Sequence, residues 1–112
     1  MNGYKDDKQS PSAVIRGEEY PKICALSYVY HQDPAHGWIE VAEIELYRLG
    51  IGDEISAYSY KKNGQAFLEE DSDASKFAKA KRAAGEDFTV VYAHTNESSL
   101  IRDYPSYAKK NA

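Results

Sequence analysis

The stretch ISAYSYKKNGQAFLEE, residues 55–70, decides the fold class. Its centre, Asn63-Gly64, is the dipeptide favoured in a two-residue type I′ turn, where both central residues take positive φ. Such a turn fixes the register of two antiparallel strands running from Ile55 to Lys62 and from Gln65 to Glu70. Lys62 then faces Gln65, Tyr60 faces Phe67 and Tyr58 faces Glu69 on one side of the ribbon. On the other side Lys61, Ser59 and Ala57 face Ala66, Leu68 and Glu70. The predicted hairpin therefore has an aromatic face and a smaller aliphatic one.

Working outward toward the N-terminus, Ile23 to His31 alternates in the two-residue period of a β-strand, with Cys24, Leu26, Tyr28 and Tyr30 on one face. Asp33-Pro34-Ala35-His36-Gly37 has the composition of a turn. Trp38 to Val41 resumes as a short strand or leads directly into a helix. Ala42, Leu46 and Leu49 recur at helical spacing, and Gly50 suits the helix stop. C-terminal to the hairpin, Asp71-Ser72-Asp73 offers N-caps for a helix through Ala84. Ala74, Phe77, Ala78 and the stem of Lys81 form its buried stripe, with Lys76, Lys79 and Arg82 opposite. Phe88 to Ala93 reads as a final strand, and Leu100, Ile101, Tyr104 and Tyr107 pin an irregular C-terminal segment. The order ββαββαβ predicts an α+β fold: a mostly antiparallel sheet of four to five strands with two helices packed on it.

At 112 residues the chain is one domain's worth. Residues 1–20 are polar and broken by Gly3, Pro11 and Gly17, and they read as a disordered tail. The α+β domain is expected over 21–107, with a frayed end at 108–112. Ten tyrosines supply much of the hydrophobic share, which suggests a thin core edged by half-buried rings. A net charge of −4 argues against a large nucleic-acid footprint. The single Cys24 has no intramolecular disulfide partner and reads as a buried thiol in a reducing compartment. No apolar run approaches the ~18 residues that a spanning helix needs. The sequence thus predicts a cytoplasmic protein with no membrane partner, and it leaves the oligomeric state open.

From Ser27 to Tyr107 the chain resembles a group of small uncharacterised proteins from bacteria and their phages. The resemblance is carried by His36-Gly37-Trp38, Leu49-Gly50-Ile51, Tyr58-Ser59-Tyr60, Leu68-Glu69-Glu70-Asp71 with Asp73-Ala74, His94-Thr95-Asn96, and Ile101-Arg102 with Tyr104. It implies a phage or prophage setting and brings no activity and no catalytic residue with it.

Three constellations are candidates for chemistry. His36 lies in a turn beside Trp38, and His31 and His94 end predicted strands. Two imidazoles at one edge of the sheet would suit proton transfer near neutral pH, which makes His36 and His94 the candidate catalytic pair. Strand-end histidines more often hydrogen-bond a nearby loop. No HxH or HExxH spacing supports zinc, so no metal and no cofactor are assigned. Glu69, Glu70, Asp71 and Asp73 place four carboxylates in five residues. A divalent ion prefers such oxygen clusters, but there is no EF-hand spacing and no central Gly. Helix capping with a Glu69–Tyr58 hydrogen bond is the ordinary account. Lys76, Lys79, Lys81 and Arg82 form a basic run on an amphipathic helix, and with Arg102 they could meet phosphates or an acidic partner. A solvated helix face is commoner. Ser59, Ser98 and Ser99 lack a GxSxG context, so nucleophilic catalysis is unsupported.

The expected function is therefore that of a small phage-type accessory protein that binds another protein. Its candidate contact residues are Trp38, Tyr58, Tyr60, Glu69, Lys76, Lys79, Arg82 and Arg102. Two alternatives stand beside it: a small hydrolase or nuclease using His36 and His94, and a nucleic-acid-binding domain using the basic helix face.

Overall fold

The structure, a computed structural model, describes residues 27–108. The expected tail, Cys24, the first half of the predicted opening strand and the last four residues lie outside the described residues. Within them the chain forms β1 (Ser27–Gln32), β2 (Gly37–Ala42), α1 (Glu43–Arg48), β3 (Tyr60–Lys62), β4 (Gln65–Glu69), α2 (Asp73–Ala83), β5 (Thr89–His94) and a 3-10 turn at Leu100–Asp103. The fold is α+β in the predicted order ββαββαβ. The five strands make one sheet in the order β3-β4-β2-β1-β5. All neighbours are antiparallel except β1 and β5, which pair in parallel from Ser27↔Thr89 to Gln32↔His94. β4 and β5 consequently run the same way. Parallel strands need a long crossover, and α2 provides it.

The alternation along β2 and β4 sorts the side chains onto two faces. Ile39, Val41, Ala66 and Leu68 point into the main core with Tyr28, Leu46, Ile51, Ile55, Phe77 and Tyr107. Rings meet edge-on at its centre: Tyr28 lies 5.1 Å from Phe77 and 5.5 Å from Phe88, centroid to centroid. Burial of a side chain such as Phe77 is worth about 1.5–3 kcal/mol. The opposite face carries Trp38 and Phe67, sealed by Ile101 with Tyr60 and Tyr104 packed alongside. Of the expected C-terminal anchors, Ile101 and Tyr104 cover the face that the helices leave open. Tyr107 reaches the main core instead, and Leu100 is 73% exposed and anchors nothing.

The hairpin register is as the Asn-Gly turn requires over three pairs: Lys62↔Gln65, Lys61↔Ala66 and Tyr60↔Phe67. Asn63 and Gly64 both have positive φ, 53° and 83°. Beyond Tyr60 the structure differs from the expected ladder. The chain leaves the sheet at Ser59, and neither Tyr58–Glu69 nor Ala57–Glu70 forms a pair. The cause is Asp73, which is fully buried and does not cap α2. Its carboxylate accepts from the Ser56 amide at 3.0 Å, from Ser56 Oγ at 2.7 Å and from Ser59 Oγ at 2.5 Å. Ser59 Oγ in turn accepts from the Glu69 amide at 2.9 Å, in the place where a strand carbonyl would have stood. Burial opposes ionisation of Asp73, but these hydroxyl and amide donors hold its carboxyl below the usual range. The residue at the N-cap position, Ser72, makes no side-chain capping bond.

The basic run on α2 is also divided. Lys81 is 2% exposed. Its ammonium reaches Glu86 at 2.8 Å and Glu45 at 3.0 Å, and Tyr28 bonds the same Glu45 carboxylate at 2.8 Å. Burial alone would lower its pKa, yet Glu86, Tyr28 and Glu45 hold it above the ordinary lysine value. Arg48 clasps Glu86 through both terminal nitrogens. Lys81 is thus a tie between α1 and α2 rather than part of a surface stripe.

Candidate functional site

An open cleft of about 400 Å³ at one end of the sheet unites several of the candidate contacts. Trp38 and Tyr60, on β2 and β3, and Tyr58, in the loop before β3, give it aromatic walls. Glu69, Asp71 and Ser72, at the end of β4 and the turn into α2, form an acidic rim. His36 and Arg102 complete it from the β1–β2 turn and the 3-10 turn.

Each side is held by a local device. Asp33 accepts from the backbone amides of Ala35 and His36 at 3.0 and 2.9 Å, which closes the turn presenting His36. The same carboxylate binds Arg102, with Nε at 2.7 Å and Nη2 at 3.0 Å. It also accepts from the Ser99 amide at 2.9 Å. The Arg102 guanidinium holds the Asp33 carboxyl well below the usual carboxylate range. This pair lays the guanidinium 5.4 Å over the Trp38 ring, a favourable cation–π distance.

Across the cleft, the Glu70 amide bonds the Gly37 carbonyl at 3.0 Å, and Tyr30 donates its hydroxyl to Glu70 at 2.9 Å. Gly37 lets the chain pass close to Tyr30, since a Cβ there would sit 2.5 Å from that ring and force it to shift. Glu69 Oε1 accepts from the Asp71 amide and Ser72 Oγ at 2.9 and 3.1 Å. Its other oxygen lies 3.8 Å from His36 Nδ1. That leaves a ligand atom from each of His36, Glu69, Glu70 and Asp71 within 4.8 Å of the others, a spacing that could hold a cation. Among the described residues, neither Glu70 nor Asp71 forms an ion pair with a lysine or an arginine, and the His36 imidazole is the ring that faces Glu69.

Two further groups mark the cleft. Tyr58 is 74% exposed, and among the described residues nothing bonds its hydroxyl or stacks on its ring. Trp38 is 2% exposed, and its indole N–H has no acceptor among the described residues. An unpaired buried donor costs about 1–3 kcal/mol.

Of the residues the sequence singles out, the structure brings together Trp38, Tyr58, Tyr60, Glu69, Asp71, Arg102 and His36. It leaves the others elsewhere. Lys79 and Arg82 are exposed on the outer side of α2. Lys76 bonds the Glu54 carbonyl at 2.6 Å and Asp73 at 3.2 Å. His94 is level with Gln32, and so is Gly37, which puts His94 at the same sheet end as His36. The register gives it the Tyr30–Ile39 face, however, opposite Trp38. Its imidazole pairs with Asn96 at 3.0 Å. His31 pairs with Glu40 at 2.8 Å and lines a different groove with Phe67 and Tyr104. The expected Glu69–Tyr58 bond is absent. Asp33, read from the sequence only as a turn residue, is the organiser that sequence reasoning missed. Its Asp-Pro context marks a turn, but nothing local marks a partner 69 positions away.

No protein-family model, no curated protein and no solved structure matches this chain.

Proposed function

We propose that this domain acts by binding another protein, with the Trp38 cleft as the contact, in the phage or prophage setting that the sequence resemblance implies. The observation that supports it most is Tyr58, a large ring held 74% exposed at the mouth of a cleft already walled by Trp38 and Tyr60. Aromatic side chains grouped in this way are the commonest anchors of protein contacts. Rigid placement of the walls by β2, β3 and the Asp33–Arg102 pair favours binding further, because little order is lost when a partner docks. The acid–base alternative needs His36 and His94 within one substrate's reach, and their opposite faces speak against it. The nucleic-acid alternative needs a continuous basic surface, and Lys81 and Arg102 are both neutralised by carboxylates.

The test is a selection of random peptides displayed on yeast or ribosomes against the wild-type domain and against Tyr58→Ala. Sequences enriched on the wild type and lost on the variant are expected. Enrichment that is the same on both proteins, or absent from both, would overturn the assignment.

A further inference from the structure

We infer that the cleft takes a cationic side chain, an arginine or lysine presented by the partner; this deepens the protein-binding proposal and rests on it for the partner's class. One half of the cleft already shows the chemistry in use. There the Arg102 guanidinium lies against Trp38 and is fixed by Asp33 at 2.7 Å. The other half repeats the same components without the cation. Tyr58 and Tyr60 stand as rings, and Glu69 and Asp71 stand as carboxylates.

Electrostatics points the same way. Glu69, Glu70 and Asp71 bring three carboxylates together. His36 lies 3.8 Å from Glu69 and Tyr30 donates to Glu70, but among the described residues none of the three pairs with a lysine or an arginine. Arg102 contributes little positive field, because Asp33 balances it. The first turn of α2 adds about half a positive charge, which three carboxylates exceed. A guest cation would relieve this repulsion, and it would meet an electron-rich ring face within the same space.

The aromatic walls decide between a side chain and a bare metal ion. A hydrated divalent ion gains nothing from the exposed Tyr58 ring. The methylene stem of an arginine or lysine buries against it while the charged head reaches Glu69 and Asp71. A cleft of about 400 Å³ accommodates one such side chain with its flanking backbone.

The experiment uses N-acetyl-arginine methylamide and its neutral isostere, the citrulline compound, titrated into the ¹⁵N-labelled protein. The chain has one tryptophan, so a single indole N–H signal reports on the cleft. The arginine compound is expected to shift that signal saturably, and the citrulline compound to bind about tenfold more weakly or not at all. Glu69→Gln with Asp71→Asn should remove the difference between the two compounds. Equal binding of both compounds to the wild-type protein, or no shift with either, overturns the inference. A shift by arginine that requires added Mn²⁺ or Zn²⁺ and disappears in EDTA overturns it too, in favour of a metal at His36 and Glu69. An arginine response with no peptides selected would leave the cation inference standing and remove the protein-binding proposal. Selected peptides without basic residues would do the reverse.

Discussion

At the scale of single residues, the cleft depends on side chains whose partners lie far off in sequence. Arg102 meets Asp33 across 69 positions, and Tyr30 meets Glu70 across 40. Periodicity and turn composition report on neighbours, so they found Trp38, Tyr60 and Glu69 as notable residues but not the pair that organises them. Asp33→Asn should free Arg102 from its fork, lower the urea midpoint and alter the near-ultraviolet dichroism of Trp38. An unchanged spectrum would show that the guanidinium does not set the indole's surroundings. Gly37→Ala makes a steric test of the same corner. The added methyl meets the Tyr30 ring at 2.5 Å, and such overpacking costs about 1–3 kcal/mol, to be read from equilibrium urea unfolding.

At the scale of elements, the hairpin was legible where its own turn dictates geometry and illegible where a distant acid intervenes. Asn63-Gly64 set Lys62↔Gln65 through Tyr60↔Phe67 correctly. The ladder stops there because Asp73 draws Ser56 and Ser59 out of the sheet. The consequence reaches the cleft: Tyr58, expected to be paired across the hairpin, projects from the loop into solvent. Asp73→Ala removes the acceptor of several buried donors and should cost on the order of 3 kcal/mol. Amide hydrogen exchange should then quicken over residues 56–59 while Lys61 and Phe67 keep their protection. Uniform loss of protection would mean that the loop and the hairpin are a single cooperative unit. Helix α2 was placed correctly by its apolar spacing, yet burial of the Lys81 ammonium was not foreseen. A lysine among exposed lysines looks like its neighbours until Glu45 and Glu86 are seen to converge on it.

At the scale of the whole molecule, the α+β order followed from the alternation of strand and helix periods. The second buried face did not follow, because it is closed by an irregular segment with no period to detect. The two ion clusters that join distant elements make stability depend on pH in a definite direction. Arg48 first, and then Lys81, lower Glu86 from 4.5 to about 2, and Arg102 lowers Asp33 from its ordinary value. Groups whose folded pKa is depressed stabilise the fold fully above their unfolded pKa, and the contribution is lost as pH falls through the folded value. The contribution of these clusters should therefore be constant above about pH 5 and be lost as the pH drops from 4.5 toward about 2. Glu86 is a third exposed on its side chain, and solvent screening reduces its share. Glu86→Gln should shallow the acid limb of urea midpoint against pH, and an unchanged limb would assign it to other carboxylates.

The central claim is that the molecule works through the Trp38 cleft. Emission from its single tryptophan during titration with a selected arginine-containing peptide tests it most directly. A saturable change in Trp38 emission is expected on the wild-type protein, and its loss with Tyr58→Ala. A peptide that binds without changing Trp38 emission, or binds Tyr58→Ala equally well, would contradict it.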